Sequence, residues 1–146
     1  MLDPAIAAAV HASFGRQGAM RAIGARICEL DDGWCVIELP LSDQVTQQHG
    51  YFHGGIVGAL ADSAAGYAVN TRLMPARECL TAEYKINMLA PAMGDRLLAR
   101  GRLVRAGRTL LVATVDVVAQ GAGDERHCAL AQLTMFAIDA RVAASG

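Results

Sequence analysis

Lysine is almost missing from this chain: Lys85 stands alone against twelve arginines in 146 residues. The 13 basic and 14 acidic side chains nearly cancel, giving a formal charge of -1, which excludes a nucleic-acid binder driven by electrostatics. An arginine bias of this kind follows from genome composition as readily as from phosphate recognition. The four cysteines (Cys28, Cys35, Cys79 and Cys128) include no C-x-x-C pair, so zinc-ribbon and thioredoxin-like motifs are absent. Reduced, mostly buried thiols in a cytoplasmic protein are the expectation. No long apolar run occurs either. The most apolar stretch, Ile56 to Val69, has 14 residues and contains Asp62, too short and too interrupted for a membrane span. The N-terminus carries Asp3 where an export signal would carry basic residues. There is no repeat, linker or low-complexity tract, and the length suits one domain.

What is present is a clear switch of period. Pro4 to Phe14 reads as a short helix capped by Asp3. Ile23 to Leu30 and Trp34 to Leu39 read as strands joined at Asp31-Asp32-Gly33. A polar loop from Ser42 to Tyr51 leads into a long helix, about Gly54 to Leu73, which Pro75 ends. Beyond Pro75 the period is two. Cys79 to Leu89 alternates, with Leu80, Ala82, Tyr84, Ile86 and Met88 on one face and Thr81, Glu83, Lys85 and Asn87 on the other. Strands follow at Leu97 to Arg105, Leu110 to Ala119 and His127 to Ile138, with short connections that favour antiparallel neighbours. Asp62 is the only charge between His53 and Asn70, so the helix is apolar on nearly every side and must be buried. One buried helix and six strands predict an α+β hot-dog fold, a curved antiparallel sheet wrapped around a central helix. The domain fills residues 1–146, with its core at about 20–139.

Asp62 is the residue that stands out. A carboxylate inside an apolar helix needs a proton, a partner or a function. Its neighbours one turn away, Gly58, Ala59, Ala65 and Gly66, are all small and leave a trough beside it. The helix opens on His53-Gly54-Gly55, where unshielded N–H groups and the positive end of the helix dipole suit an oxyanion. Each feature also has a structural reading, as an ion pair and as a tight turn into close packing.

The run from His53 to Gly66 resembles the H-G-G-x6-D motif of the PaaI-like hot-dog acyl-CoA thioesterases. The likeness continues through Thr81 to Ala92 and Gly107-Arg108-Thr109-Leu110, and so covers most of the chain. The resemblance implies hydrolysis of acyl-CoA thioesters. Asp62 would be the base or nucleophile, Gly54 N–H the oxyanion donor with Gly55 beside it, and Thr81 a group that orients water. The family's asparagine before the glycines falls on Gln47, a longer amide, and Gln47 or Gln48 would take its place. Substrate contacts are expected from His53, Gly55, Gln48, Arg105 and Arg108, the two arginines holding coenzyme A phosphates or simply lying on a solvated turn. Tyr67, Met88 and Leu89 are expected near the acyl pocket. Coenzyme A enters as substrate, with no further cofactor. His49 and His53 lack a third ligand, so no metal site is expected. Alternative readings are an acyl-thioester hydratase or dehydratase, which lacks a histidine on the helix here, and a non-catalytic acyl-CoA-binding module.

Gly54 and Asp62 stand eight residues apart, roughly 12 Å along one helix. One thioester cannot touch both within about 3 Å. A twofold-related copy would bring Gly54 beside the other chain's Asp62, so at least a homodimer is expected, with a homotetramer as the fuller assembly. The partners are therefore a second copy and a small-molecule acyl-CoA, with no nucleic acid and no membrane.

Overall fold

The computed structural model describes residues 1–143. Helix α1 (Pro4–Gly15) is capped as expected, the Ala5 N–H donating to Asp3 Oδ1 at 2.7 Å. Its Val10 is fully buried, and Ile6 and Phe14 pack against the core. A second short helix, α2 (Gly18–Ile23), ends on Gly24, whose φ of +78° makes it a left-handed cap. The first strand therefore starts later than the sequence reading placed it: β1 is Arg26–Asp31, and Ile23 belongs to the helix. A six-residue helix is too short to show a period, so the apolar Ile23 reads as strand.

Strand β2 (Trp34–Pro40) pairs back on β1 across Asp32-Gly33. The central helix α3 runs Gly54–Asn70, and β3 (Arg77–Met88), β4 (Arg96–Ala106), β5 (Leu110–Gly121) and β6 (Asp124–Asp139) follow. A single turn, α4 (Ala140–Ala143), closes the described chain. Helix α3 stops three residues short of Leu73. Thr71 turns its hydroxyl onto Ala68 O at 2.7 Å and accepts the Gly33 N–H at 2.8 Å, tying the helix end to the β1–β2 turn.

All strand pairs are antiparallel, in the order β1-β2-β4-β5-β6-β3. The last four strands do not all pair in succession, because β3 bonds to β6 and not to β4. Residues 89–95 carry the chain past two strands instead. Three strand spacings come to about 14 Å, within reach of seven extended residues. A short connection favours a hairpin but does not require one.

Helix α3 touches β2, β3, β4, β5 and β6, which obliges the sheet to curl around it. Leu39, Leu97, Leu111, Leu133 and Met135 are buried with Leu60 in one apolar core. The closest approach is at Gly101 of β4, where a Cβ would lie 2.3 Å from the Ala64 carbonyl oxygen. Among the described residues no helix is long and apolar enough to cross a membrane.

Candidate active site

Residues Gly54, Gly58, Asp62 and Gly66 recur every fourth position, so they form one row along α3. Edge strand β3 lies antiparallel to that row. A Cβ on Gly54 would meet Met88 Cε at 3.5 Å, on Gly58 the Tyr84 hydroxyl at 3.3 Å, and on Gly66 Cys79 Sγ at 3.8 Å. Asn70 extends the row, its Oδ1 accepting the Cys79 N–H at 3.0 Å. Part of the trough expected beside Asp62 is thus filled by the chain's own strand. The glycines let the strand come close enough for Thr81 O–H to donate to Asp62 Oδ1 at 2.6 Å.

Strict alternation would have kept Thr81 away from the helix. A bulge at Ala82 reverses it: Thr81 pairs with Met135, but the next pair is Glu83 with Thr134. Met135 and Leu133 are buried, so Cys79 and Thr81 face the helix before the bulge, and Tyr84, Ile86 and Met88 face it after. Leu80 does not share their face. It pairs with Phe136 on the outer surface and is 59% exposed.

The Asp62 carboxylate is half-buried and forms no ion pair within the described chain. Its Oδ2 has no hydrogen-bond donor there either, which leaves that oxygen to the cleft. The cleft has a volume of about 620 Å³ and runs from Asp62 and Thr81 along Ser63, Gly66, Tyr67 and Asn70. Burial, reinforced by the Asp62 charge, pushes the Cys79 thiol up to about 12, so it stays protonated beside the carboxylate. Burial also raises Tyr67, which keeps its hydroxyl as a donor; the Ser13 hydrogen bond opposes part of the shift.

At the helix entry, His53 caps α3, its Nδ1 accepting the Gly55 N–H at 2.9 Å. Gly55 is therefore already engaged. The Gly54 N–H is exposed and has no acceptor among the described residues, which makes it the donor available at the positive end of the helix. The Gln47 side chain folds back to accept the His49 N–H, leaving its NH2 group to donate elsewhere, and Gln48 is exposed. Arg105 and Arg108 are exposed on the β4–β5 hairpin outside the cleft, where Arg77 donates to the Arg108 carbonyl at 2.9 Å. Met88 and Leu89 also lie outside it, toward the Gly54 end of the row. Only Asp62, Thr81 and Tyr67 of the expected residues meet in the cleft. Ser13 and Gln17, from the N-terminal segment, line it as well and escape sequence reasoning, because nothing in a polar helix end announces which helix it will touch.

One long helix wrapped by a single antiparallel sheet of six strands is the hot-dog arrangement. The chain belongs to the Thioesterase superfamily, whose model matches residues 49–125. A crystal structure of a thioesterase family protein from Silicibacter pomeroyi is 42% identical, covers 92% of this chain and 98% of its own, and superposes with a TM-score of 0.88. The acyl-coenzyme A thioesterase PaaI of Escherichia coli is 29% identical over 75% of this chain and 77% of its own. The structure of that protein, from the phenylacetic acid degradation operon, superposes with a TM-score of 0.84 over 94% of this chain and 96% of its own. A relative from Saccharolobus solfataricus that carries the name esterase is 31% identical over 62% of this chain and 64% of its own. The resemblance to PaaI-like hot-dog thioesterases and the α+β fold both hold.

Proposed function

We propose that the chain hydrolyses acyl-CoA thioesters in sites shared between two copies. The observation that carries this reading is the Asp62 carboxylate, fixed on one oxygen by Thr81 and open to the cleft on the other. Asp62 acts as general base: it takes a proton from a water that attacks the thioester carbonyl. The carbonyl oxygen gains negative charge and is held by the Gly54 N–H of the partner subunit. The tetrahedral intermediate then expels the coenzyme A thiolate, the C–S bond breaks, and the proton on Asp62 passes to the sulfur. Free acid and coenzyme A leave, and no resident cofactor or metal takes part. Thr81 keeps the carboxylate oriented and offers its oxygen lone pairs to the water. Gln47, through its free amide NH2, or Gln48 contacts the carbonyl or the water. Gly55 and His53 shape the donor end, with Gly55 serving as backbone wall because its N–H is spent on His53. Arg105 and Arg108 meet the nucleotide phosphates outside the cleft.

The experiment uses two complementary variants. Asp62→Asn removes the base, and Gly54→Pro removes the donor N–H at a first-turn position that tolerates proline. Each alone should lose about a hundredfold or more in turnover, read as thiol release. Random reassortment makes half the dimers mixed, and each mixed dimer holds one intact site, so about a quarter of wild-type activity returns. Mixtures no more active than their components would refute composite sites, and full turnover by Asp62→Asn would remove Asp62 from the chemistry.

A further inference from the structure

One wall of the cleft comes from a part of the chain that the H-G-G-x6-D region does not include. Three contacts clamp α1 and the turn after it onto α3: Phe14 and Tyr67 stack edge to face with centroids 5.4 Å apart, Ser13 and Tyr67 share a hydrogen bond of 3.3 Å, and Ser63 Oγ donates to Gln17 Oε1 at 3.4 Å. Gln17 occupies the residue before α2, where a side chain would ordinarily cap the helix, yet it makes no capping bond. Its amide reaches across to α3 instead. Ser63 is the residue next to Asp62, so Gln17 sits within one residue of the carboxylate's own backbone. The buried Val10, with Ile6 and Phe14, packs this segment onto the core.

We propose that this N-terminal wall selects the acyl group, with Gln17 as the specificity-determining residue that limits which acyl chains extend past Ser63 along the cleft. The proposal rests on the acyl-CoA thioesterase reading. In this reading a thioester carbonyl placed at Asp62 has its acyl group beside Ser63, Gly66 and Tyr67, which line the cleft. Ser13, Arg16 and Gln17 line that path. Acyl groups that end before the wall bind without displacing it, whereas longer ones must break the Gln17–Ser63 and Ser13–Tyr67 contacts. Each methylene that meets or clears such a wall changes discrimination by roughly 10- to 200-fold.

The test is a series of straight-chain acyl-CoA thioesters from acetyl to dodecanoyl, with kcat/KM for each read by thiol release. Wild type should fall off sharply beyond one chain length. Gln17→Ala should move that cut-off toward longer chains and raise the long-to-short ratio about tenfold or more. Gln17→Trp should move it the opposite way, a reversal that general loosening of the fold cannot produce. Identical chain-length profiles in wild type and both variants would overturn the proposal while leaving the thioesterase reading in place. A wild type that cleaves no member of the series, nor any aryl-acyl thioester, would overturn the thioesterase reading itself.

Discussion

Gly101→Ala tests whether the contact between helix and sheet holds the site together. The added Cβ would sit 2.3 Å from Ala64 O, 2.5 Å from Ala64 C and 2.9 Å from Ala65 N. All three are backbone atoms of α3, so no rotamer change can relieve the clash. Ordinary contact begins at about 3.5 Å, so helix and strand must part by about 1 Å. Overpacking of this kind costs about 1–3 kcal/mol, which at this chain length lowers the melting temperature by roughly 3–10 °C. The same shift should be visible in catalysis. Ala64 and Ala65 lie within one turn of Asp62, so a displaced helix lengthens the 2.6 Å bond from Thr81. A misplacement of about 1 Å can cost a hundredfold in rate. Gly18→Ala is the control, since nothing lies within 4 Å of its added Cβ. Thermal unfolding and thiol release on both variants provide the measurements. Wild-type melting and turnover in Gly101→Ala would show that the helix does not depend on this contact, and the reasoning would fail.

Two further outcomes follow from the same geometry. Thr81→Val keeps the β-branched shape and removes the donor to Asp62, so turnover should drop about tenfold while the melting temperature moves by no more than about 2 °C; unchanged turnover would leave Thr81 as a strand residue only. Burial raises Cys79 from 9.0 to about 12, so above pH 9 the unfolded chain releases a proton that the folded chain retains. Stability should therefore be intact below pH 9 and fall by about 1.4 kcal/mol per pH unit from this thiol as the pH rises toward 12. Urea midpoints at pH 8 and 10.5 check this: Cys79→Ala should lose less stability over that range than wild type, and equal losses would contradict it.

The fold was legible because its main signals are long. Seventeen residues of helix with one charge, followed by four strands of period two, leave few ways to bury so much apolar surface. Asp62 was legible for the same reason, as the one residue that contradicts its surroundings. Thr81 was harder. Its expected role came from family resemblance and ran against its own alternation, which places it with Glu83 and Lys85 on the polar face. The bulge at Ala82 resolves the conflict, and alanine carries no mark of a bulge as glycine can. The pairing of β3 with β6 was illegible on other grounds. Strand order depends on which edges meet across the curled sheet, and no local pattern near residues 89–95 records that choice.

A one-residue slip in an edge strand usually exposes what should be buried. Here the slip does two useful things at once. Upstream of Ala82, it turns a hydroxyl and a thiol toward the helix where the row of glycines is interrupted by Asp62. Downstream, it turns Tyr84 and Met88 onto Gly58 and Gly54, so large side chains fill the space that small helix residues leave. Without the bulge, Leu80 and Ala82 would face the helix and Thr81 would point to solvent; the carboxylate would lose its only hydrogen-bond donor among the described residues. The strand thus carries two registers, one that packs the helix entry and one that equips Asp62. Asp62 and Thr81 are separated by 19 residues of chain, yet their meeting depends on the backbone at a residue with no functional group of its own.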